Sequence, residues 1–326
     1  MFLQRHACAA ALRLCALISV AFGSCGIARA QAPEVWLGGV DSNARRKMFQ
    51  ETDSDFMEMF RDNARWEHAA SHTSVFQINA GFILNSPDDE VRTVFAALKR
   101  RRICLAVEAL MLSGKDGCGV GMEGFSAPAT MAVVASRIQK LGGELCYIAM
   151  DEPMWYGHVA DGRTACHATP ELLAKDIAHK IGDVKRIFPS LKVGDVEPIG
   201  IPKPADWIEQ LIQWTEIYRA VIGQPLDFLH VDVRWVGPWQ VQLRQLVPAL
   251  RSKGIRFGVI YNGPPSARDS QEWTNMAERR ANEVESDPSL VPNQAIIQSW
   301  SRLPTRFLPE SENGTMTNLV DQYLSR

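Results

Sequence analysis

The stretch Tyr147–Gly157, YIAMDEPMWYG, is an apolar run that ends abruptly in two acids and a proline. It is followed by Pro170–Phe188, PELLAKDIAHKIGDVKRIF, whose apolar residues recur with the period of an amphipathic helix. A second apolar run, Leu191–Val196, comes next, and it also leads into an acid and a proline, Glu197 and Pro198. The order strand, helix, strand predicts a parallel βαβ unit.

The same alternation extends over the rest of the chain. Short apolar runs predict eight strands, at about Val35–Val40, Val75–Asn79, Ile103–Leu110, Leu145–Met150, Leu191–Val196, Phe228–Val233, Arg256–Tyr261 and Ala295–Ser299. Helical periods fall between them, most clearly in Asp88–Arg101, Pro170–Phe188, Trp239–Lys253 and Thr315–Leu324. Eight strands that each precede a helix predict one α/β domain, a (β/α)8 TIM barrel spanning residues 31–326.

A doubly wound open sheet is the alternative architecture. Such a sheet usually carries a glycine-rich ligand turn directly after its first strand. The G-x-G-x-G pattern of this chain, in Gly117–Gly124, lies instead in a long segment after the third predicted strand. We interpret that segment as a flexible loop, so the pattern favours the barrel.

Composition and the first residues indicate where the protein acts. The chain has 326 residues, of which 46% are hydrophobic and 22% charged, as in a soluble globular protein. Arg5 and Arg13 precede the apolar run Leu14–Ile27, and Ala28–Ala30 ends in A-x-A, which predicts a secretory signal peptide over residues 1–30. We therefore expect a secreted or periplasmic protein with no membrane association after cleavage. Without residues 1–30 the formal net charge changes from −2 to −5, which argues against nucleic acid as a partner.

Four cysteines lie beyond the predicted signal peptide, and an oxidising compartment permits them to form disulfides. Cys118 and Cys166 lie in polar stretches that contain glycine, so we predict that they pair with each other. Cys104 and Cys146 lie in apolar strands, and we predict that they are small buried core residues.

Side-chain alternation predicts which residues face the barrel interior. In the sixth strand, His230 and Asp232 share one face, and the apolar Leu229, Val231 and Val233 share the other. Because the apolar face must pack against helices, we predict that the polar face points inward. The same sorting places polar residues at the carboxyl ends of several strands, namely Gln77, Asn79, Glu108, Glu152, Asp195, Glu197, Asn262 and Gln298. Barrel enzymes build their active sites at that end, so the pattern predicts one shared polar cleft.

Two of these acids suit acid–base chemistry. Glu152 and Glu197 each precede a proline, which favours extended dihedrals, so we expect each to continue its strand to the rim. Carboxyls on neighbouring strands raise each other's pKa and thereby provide one acid and one base. Cleavage of a glycosidic bond uses such a pair. We predict Glu152 and Glu197 as the catalytic residues.

Other strand ends carry residues that suit binding of a sugar. Aromatic faces stack on sugar rings, and amide and carboxylate groups bond to hydroxyls. The predicted substrate-binding residues are Asn79, Glu108, Asp151, Trp155, Asp195, Asp232, Trp235, Tyr261, Asn262, Gln298 and Trp300. A carbohydrate is the expected partner, and no metal or other cofactor is expected.

Two short motifs resemble a known superfamily. The fourth strand ends in DEP, Asp151–Pro153, and the eighth in QSW, Gln298–Trp300. Both resemble the large superfamily of (β/α)8 glycoside hydrolases, whose acid/base Glu stands in an Asn-Glu-Pro at the end of strand four and which often have a Trp on strand eight. The resemblance implies that Glu152 is the general acid/base.

The chain departs from that superfamily at two places. Asp151 replaces the Asn, and strand seven ends in IYNG, Ile260–Gly263, without the Glu that is the nucleophile of the superfamily. The second carboxylate therefore stays open among three acids of this chain. We rank Glu197 first, with Asp195 also available and Asp232 as the base of an inverting enzyme.

Two other classes of function remain as alternatives. A metal-dependent sugar isomerase or epimerase would gather Glu152, Asp195 or Glu197, His230 and Asp232 around a divalent ion. Gln298, in place of a carboxylate on strand eight, argues against it. A non-catalytic carbohydrate-binding barrel is the other alternative, and the missing acid on strand seven favours it.

Overall fold

The computed structural model describes residues 32–326, so the predicted signal peptide lies outside the described residues. Eight parallel strands close into a barrel in chain order, with the last strand paired to the first. The predicted (β/α)8 barrel is therefore confirmed. The strands are β1 (Glu34–Gly38), β2 (Thr73–Asn79), β3 (Cys104–Ala109), β4 (Leu145–Asp151), β5 (Lys192–Ile199), β6 (Phe228–Val233), β7 (Arg256–Tyr261) and β8 (Gln294–Gln298).

Helices surround the barrel. They are α1 (Ser42–Phe49), α2 (Glu67–His72), α3 (Ala80–Asn85), α4 (Asp88–Arg101), α5 (Thr130–Lys140), α6 (Pro170–Lys185), α7 (Trp207–Ile222), α8 (Trp239–Ser252), α9 (Ser270–Glu285) and α10 (Met316–Leu324). A 3₁₀ turn at Phe56–Phe60 and a π-helical turn at Trp155–Val159 complete the regular structure. Within residues 32–326, no helix combines the length and the apolar character that crossing a membrane requires.

The barrel interior changes from apolar to polar along the strands. Its buried apolar layer consists of Trp36, Val75, Ala106, Tyr147, Ala149, Val196, Phe228, Ile260 and Ile296. Two residues further along, on the same faces, stand polar side chains such as Gln77, Glu108, Asp151 and Gln298. The apolar layer closes the barrel, and the polar layer forms the floor of its open end.

His230 belongs to the closed layer. It is fully buried, its Nε2 lies 3.0 Å from Gln294 Oε1, and its ring packs beside Trp36 and Phe228. Burial lowers the pKa of His230 to about 3, so the imidazole is neutral. The predicted inward orientation of His230 is confirmed. The residue lies in the buried core of the barrel, two residues before Asp232 on the same face of β6.

Both disulfide predictions are tested by the structure. Cys118 and Cys166 are bonded, with Cα atoms 5.0 Å apart, which confirms the predicted pair. Cys104 and Cys146 are also bonded, with Cα atoms 5.8 Å apart, so the prediction that they are unpaired core residues is wrong. The reason is the register of β3 and β4. It shifts after Leu105, so Cys146 is an extra residue of β4 and lies beside Cys104.

Candidate active site

A cavity of about 620 Å³ opens at the carboxyl ends of β1, β2, β3, β4 and β8. Five of the predicted site residues line it, namely Asn79, Glu108, Asp151, Gln298 and Trp300. Residues of α1 and α3 form another wall, and Glu123 enters from the segment between β3 and α5. The parallel strands bring these residues together because all their carboxyl ends meet at one end of the barrel.

Glu108 is fixed by a cradle of amides. Its Oε2 accepts hydrogen bonds from Gln77 Nε2 at 2.9 Å and from Gln298 Nε2 at 2.6 Å. Its Oε1 accepts a bond from Asn79 Nδ2 at 3.3 Å. Bonds of this kind to a carboxylate are stronger than those between neutral groups. The cradle therefore holds Glu108 in one orientation at the floor of the cavity.

Glu152 stands directly after β4 with a backbone φ of 44°, in the left-handed region. The prediction that it continues the strand in an extended conformation is wrong. Such a conformation costs a non-glycine residue about 1–3 kcal/mol and persists only where its surroundings hold it. Here the Glu152 N–H donates to Val196 O at 3.1 Å, and its carbonyl accepts from Tyr156 N at 2.9 Å. Because of this turn, the direction of the Glu152 side chain does not follow the inward and outward alternation of side chains along β4.

The Glu152 carboxyl holds its proton at neutral pH. Burial raises the pKa of Glu152 to about 10, and the nearby carboxylates of Asp232, Asp151 and Glu123 contribute to the rise. A general acid must hold its proton at the working pH and release it to the substrate. Glu152 satisfies the first condition through its surroundings.

Asp232 faces the same open end from β6. Burial raises the pKa of Asp232 to about 7, and the charges of Glu123 and Glu108 add to this effect, while Arg280 and Asn262 oppose it. The two carboxyls, Glu152 and Asp232, therefore titrate in different ranges. Two carboxyls with pKa values separated in this way can serve as the acid and the base of a pair.

Trp235 and Asn262 accompany Asp232. Asn262 Oδ1 accepts hydrogen bonds from Trp235 Nε1 and from Arg280 Nη1, both at 3.0 Å. The Arg280 guanidinium also lies 5.0 Å from the centre of the Trp235 ring. The structure therefore brings the predicted residues Asp232, Trp235 and Asn262 together as one group around Arg280.

Asp195 and Glu197 do not face the barrel interior, so their predicted orientation is wrong. Val196 belongs to the apolar layer inside the barrel, and its neighbours on β5 must therefore point to the helices. Both acids are fully buried there. Gly194 shares the inward face with Val196, and a Cβ at this glycine would lie 2.3 Å from the Phe228 ring. The close packing of the Phe228 ring against Gly194 determines which residues of β5 point into the barrel.

The two acids bond to the outer layer of the barrel. Asp195 Oδ2 accepts a hydrogen bond from Trp214 Nε1 at 2.6 Å. Glu197 accepts bonds from Met154 N at 2.6 Å and Trp155 N at 3.0 Å, so it holds the first turn of the segment that follows Glu152. Glu197 therefore stabilises this segment from the helix side of β5.

Two aromatic residues also lie away from the open end, against their prediction. Tyr261 is buried on the helix side of β7, where its hydroxyl donates to Glu285 Oε1 at 2.8 Å. Trp155 packs against Trp207, with ring centres 5.4 Å apart. Both are therefore part of the packing between strands and helices rather than of the cavity lining.

Sequence reasoning missed Glu123, which lines the cavity, and burial together with the nearby Glu123 raises the pKa of the Tyr156 hydroxyl. Glu123 lies in the glycine-rich segment Gly117–Gly124, which we had interpreted only as a flexible loop. The closely spaced glycines of this segment are the sequence feature that could have indicated its close approach to the barrel. Gly124 has a φ of +76°, and a Cβ there would lie 2.7 Å from Asp151 O. Glycine thus permits the loop to approach the end of β4.

Several bonds attach this loop to its neighbours. Leu112 N donates to Gly124 O at 2.8 Å, and the buried Lys180 Nζ donates to Leu112 O at 2.9 Å. Gly119 N donates to Thr164 O at 2.7 Å, beside the Cys118–Cys166 disulfide. The loop is therefore held against the segment that follows β4.

Removal of this disulfide is expected to destabilise the protein. The paired variant Cys118→Ala with Cys166→Ala should lower the free energy of unfolding by about 2–4 kcal/mol, because the bond restricts the unfolded chain. Denaturant titration of the variant and the wild type measures the difference. An unchanged midpoint, or free thiols at both positions in the wild type, would contradict the bond.

The ligand set of the metal-dependent alternative is not assembled. Among residues 32–326, no group of three or more His, Cys, Asp or Glu side chains has the arrangement of a metal site. His230 lies in the closed apolar layer, and Asp195 and Glu197 lie behind β5. These side chains are therefore divided between the two sides of the barrel wall.

Comparison with known proteins shows the class of fold. No family model and no curated protein matches the chain. Among solved structures, a mutant xylanase A of P. fluorescens subsp. cellulosa in complex with xylopentaose has a TM-score of 0.52 at 9% identity, covering 91% of this chain and 99% of that one. The GH53 catalytic domain of Ignisphaera aggregans has a TM-score of 0.53 at 8% identity, and the match covers 83% of this chain and 94% of that one. GH5_18 from Streptomyces cattleya in complex with GlcNAc gives 0.51 at 11% identity, covering 84% and 71%.

These structures share the barrel with the present chain. At such low identities the likeness concerns the fold alone. The protein is therefore a (β/α)8 barrel of the architecture found in glycoside hydrolases.

Proposed function

We propose that the protein is a glycoside hydrolase that cleaves O-glycosidic bonds of a poly- or oligosaccharide. Glu152 is the general acid and Asp232 the second carboxylate. One observation carries the proposal: two neighbouring carboxyls at the open end of the barrel have pKa values raised to about 10 and about 7. The shared fold and the DEP motif at the end of β4 support it.

The chemistry follows from these protonation states. Protonated Glu152 gives its proton to the leaving oxygen as the bond between that oxygen and the anomeric carbon breaks. Ionised Asp232 either attacks the anomeric carbon or takes a proton from the water that attacks it. In both cases water supplies the new hydroxyl. Asp232 takes the role that we had given to Glu197, because it faces the open end.

The surrounding residues suit a sugar. Glu108, fixed by its amide cradle, presents carboxylate oxygens to hydroxyl groups. Trp300 is 45% exposed at the cavity wall and offers a flat face for a ring. These two residues supply polar and apolar contacts on one side of the scissile bond.

The proposal includes secretion to the periplasm or the cell exterior. The signal-like sequence of residues 1–30 supports it. Two disulfides suit the oxidising conditions of those compartments. Export of a reporter fused to residues 1–30, compared with one in which the apolar run Leu14–Ile27 is deleted, tests this part.

The pH profile of turnover is expected to be bell-shaped and alkaline. Activity should rise as Asp232 loses its proton near pH 7 and fall as Glu152 loses its proton near pH 10. The rising limb belongs to the base and the falling limb to the acid, because a base must be ionised and an acid protonated. Initial rates across this range test the assignment, and an optimum well below pH 7 would contradict it.

Release of reducing ends from a panel of polysaccharides is the direct test of the function. Wild type should hydrolyse one class of substrate, and Asp232→Asn should lose the activity. Glu144→Gln, on the exposed surface where Glu144 pairs with Lys99 at 3.0 Å, is the matched control and should keep it. Equal activity of wild type and Asp232→Asn would remove Asp232 from the mechanism.

A non-catalytic sugar-binding barrel remains a second candidate because of β7. The strand is followed by Asn262, whose oxygen atoms bond to Trp235 and Arg280, so no carboxylate stands at its end. Binding of an oligosaccharide without release of reducing ends over the whole pH range would favour this candidate.

A further inference from the structure

The cavity at the open end of the barrel presents an excess of hydrogen-bond acceptors. Three carboxylates line it without a role in capping a helix, namely Glu108, Glu123 and Asp151. Lys47, on α1, is the one basic residue of the lining. A sugar hydroxyl offers one donor to a carboxylate, whereas an ammonium group offers three donors and a positive charge, so this acidic lining suits a cationic ligand.

A buried amide oxygen gives an independent indication of a ligand. Gln77 lines the cavity and is 3% exposed. Its Nε2 is committed to Glu108 and to Gln298, at 2.9 and 3.1 Å, which fixes the orientation of the amide. Its Oε1 has no hydrogen-bond partner among residues 32–326. An unpaired buried acceptor is unfavourable, and a donor on a ligand would satisfy it.

The carboxylates also repel one another. Burial raises the pKa of Asp151 well above its usual value, and the charges of Glu108, Glu123 and Asp232 raise it further. A cation bound beside Asp151 would oppose both effects, lower the pKa of Asp151 and favour its ionised form. The metal-site geometry that a divalent ion needs is missing from residues 32–326. An organic cation that brings several donors fits the lining better, since an ammonium group has three.

We propose that the cavity binds a sugar ring that carries a free, protonated amine. The ammonium group lies among the carboxylates of Glu108, Glu123 and Asp151, and Gln77 Oε1 accepts a donor of the same ring. The substrate class is thus a poly- or oligosaccharide of unacetylated hexosamine. This inference rests on the proposed function, because it assigns a substrate class to the same site.

Acetylation provides a matched pair of ligands. An N-acetylated ring has the same skeleton but carries no charge and only one N–H at the nitrogen. We would measure the binding of glucosamine and galactosamine oligomers, each in free-amine and N-acetylated form, to Glu152→Gln by calorimetry. In parallel, wild type would be assayed for release of reducing ends from the same oligomers.

We expect at least one free-amine oligomer to bind roughly tenfold more tightly than its acetylated form, which corresponds to about 1.4 kcal/mol. The preference should shrink as salt is added, because an ion pair is screened. Glu123→Gln should weaken binding of the free-amine form more than binding of the acetylated form and so reduce the preference. Glu123 is an exposed loop residue, so this variant should fold. Glu144→Gln, which leaves the open end intact, should keep the full preference.

The outcomes separate this inference from the proposed function. Preferential binding of the free amine without hydrolysis supports the substrate class and contradicts the hydrolase. Hydrolysis of neutral oligosaccharides without preference for the amine contradicts the substrate class and supports the hydrolase. Equal or absent binding of the two forms overturns the inference. Stoichiometric binding of calcium or magnesium that excludes the amine would overturn it as well.

Discussion

Glu152→Gln is expected to lower turnover by about 10²–10⁴-fold, the contribution of a general acid. The amide has nearly the same size as the carboxyl but cannot give a proton to the leaving oxygen. Its backbone bonds to Val196 and Tyr156 are unaffected, so the fold should persist. Initial rates at saturating substrate, together with the thermal unfolding midpoint, measure both effects.

The variant also tests the electrostatic origin of the pKa. Loss of the Glu152 carboxyl removes the alkaline limb of the pH profile, while the limb of Asp232 near pH 7 should remain in any residual activity. Substrates with a good leaving group need less protonation of the leaving oxygen. Their turnover by Glu152→Gln should therefore fall less than the turnover of ordinary sugars. Glu152→Gln with full turnover on an ordinary substrate would refute its role as the acid.

Glu197→Ala is expected to lower the free energy of unfolding by roughly 2–5 kcal/mol. The substitution deprives the N–H groups of Met154 and Trp155 of their acceptors and leaves a cavity behind β5. Both N–H groups belong to the segment that follows Glu152. The loss of stability should therefore be accompanied by lower activity, because the position of Glu152 depends on this segment.

Glu197→Gln distinguishes support from catalysis. The amide keeps the side-chain volume and one acceptor oxygen, so stability should fall by less than in Glu197→Ala. Turnover should also fall only modestly, and the pH profile should keep both limbs. If Glu197→Gln folds normally and loses activity as severely as Glu152→Gln, Glu197 takes part in the chemistry. A fully active Glu197→Gln beside an inactive Asp232→Asn would establish Asp232 as the second carboxylate.

Local pattern was sufficient to predict the architecture. The strands Phe228–Val233 and Arg256–Tyr261 and the helix Asp88–Arg101 have the predicted bounds. The helix also carries acids in its first turn and basic residues in its last, which suits the helix dipole. Apolar periodicity is a local property of the chain, and each element satisfies it independently.

The same local rule located part of the site. Asn79, Glu108 and Gln298 follow apolar positions on one face of their strands, and all three reach the cavity. The rule works for Glu108 and Gln298 because they bond to each other at the open end, while Asn79 bonds both to Glu108 and to Gly81 N at the start of α3. The polar face of each strand is consequently its inward face.

By itself, the sequence determined the eight-stranded barrel and the position of Glu152 at the end of β4, and it suggested the pair Cys118–Cys166 without fixing it. Only the tertiary structure decided the phase of β5, the pairing of Cys104 with Cys146 and the approach of Glu123. The polarity of a residue predicts an inward side chain only where the surrounding helices and loops offer no hydrogen-bond partner. Glu197 instead accepts hydrogen bonds from the backbone N–H groups of Met154 and Trp155 on the helix side of β5. Such contacts join residues that are distant in sequence, so they depend on packing and register, which alternation within one strand does not contain.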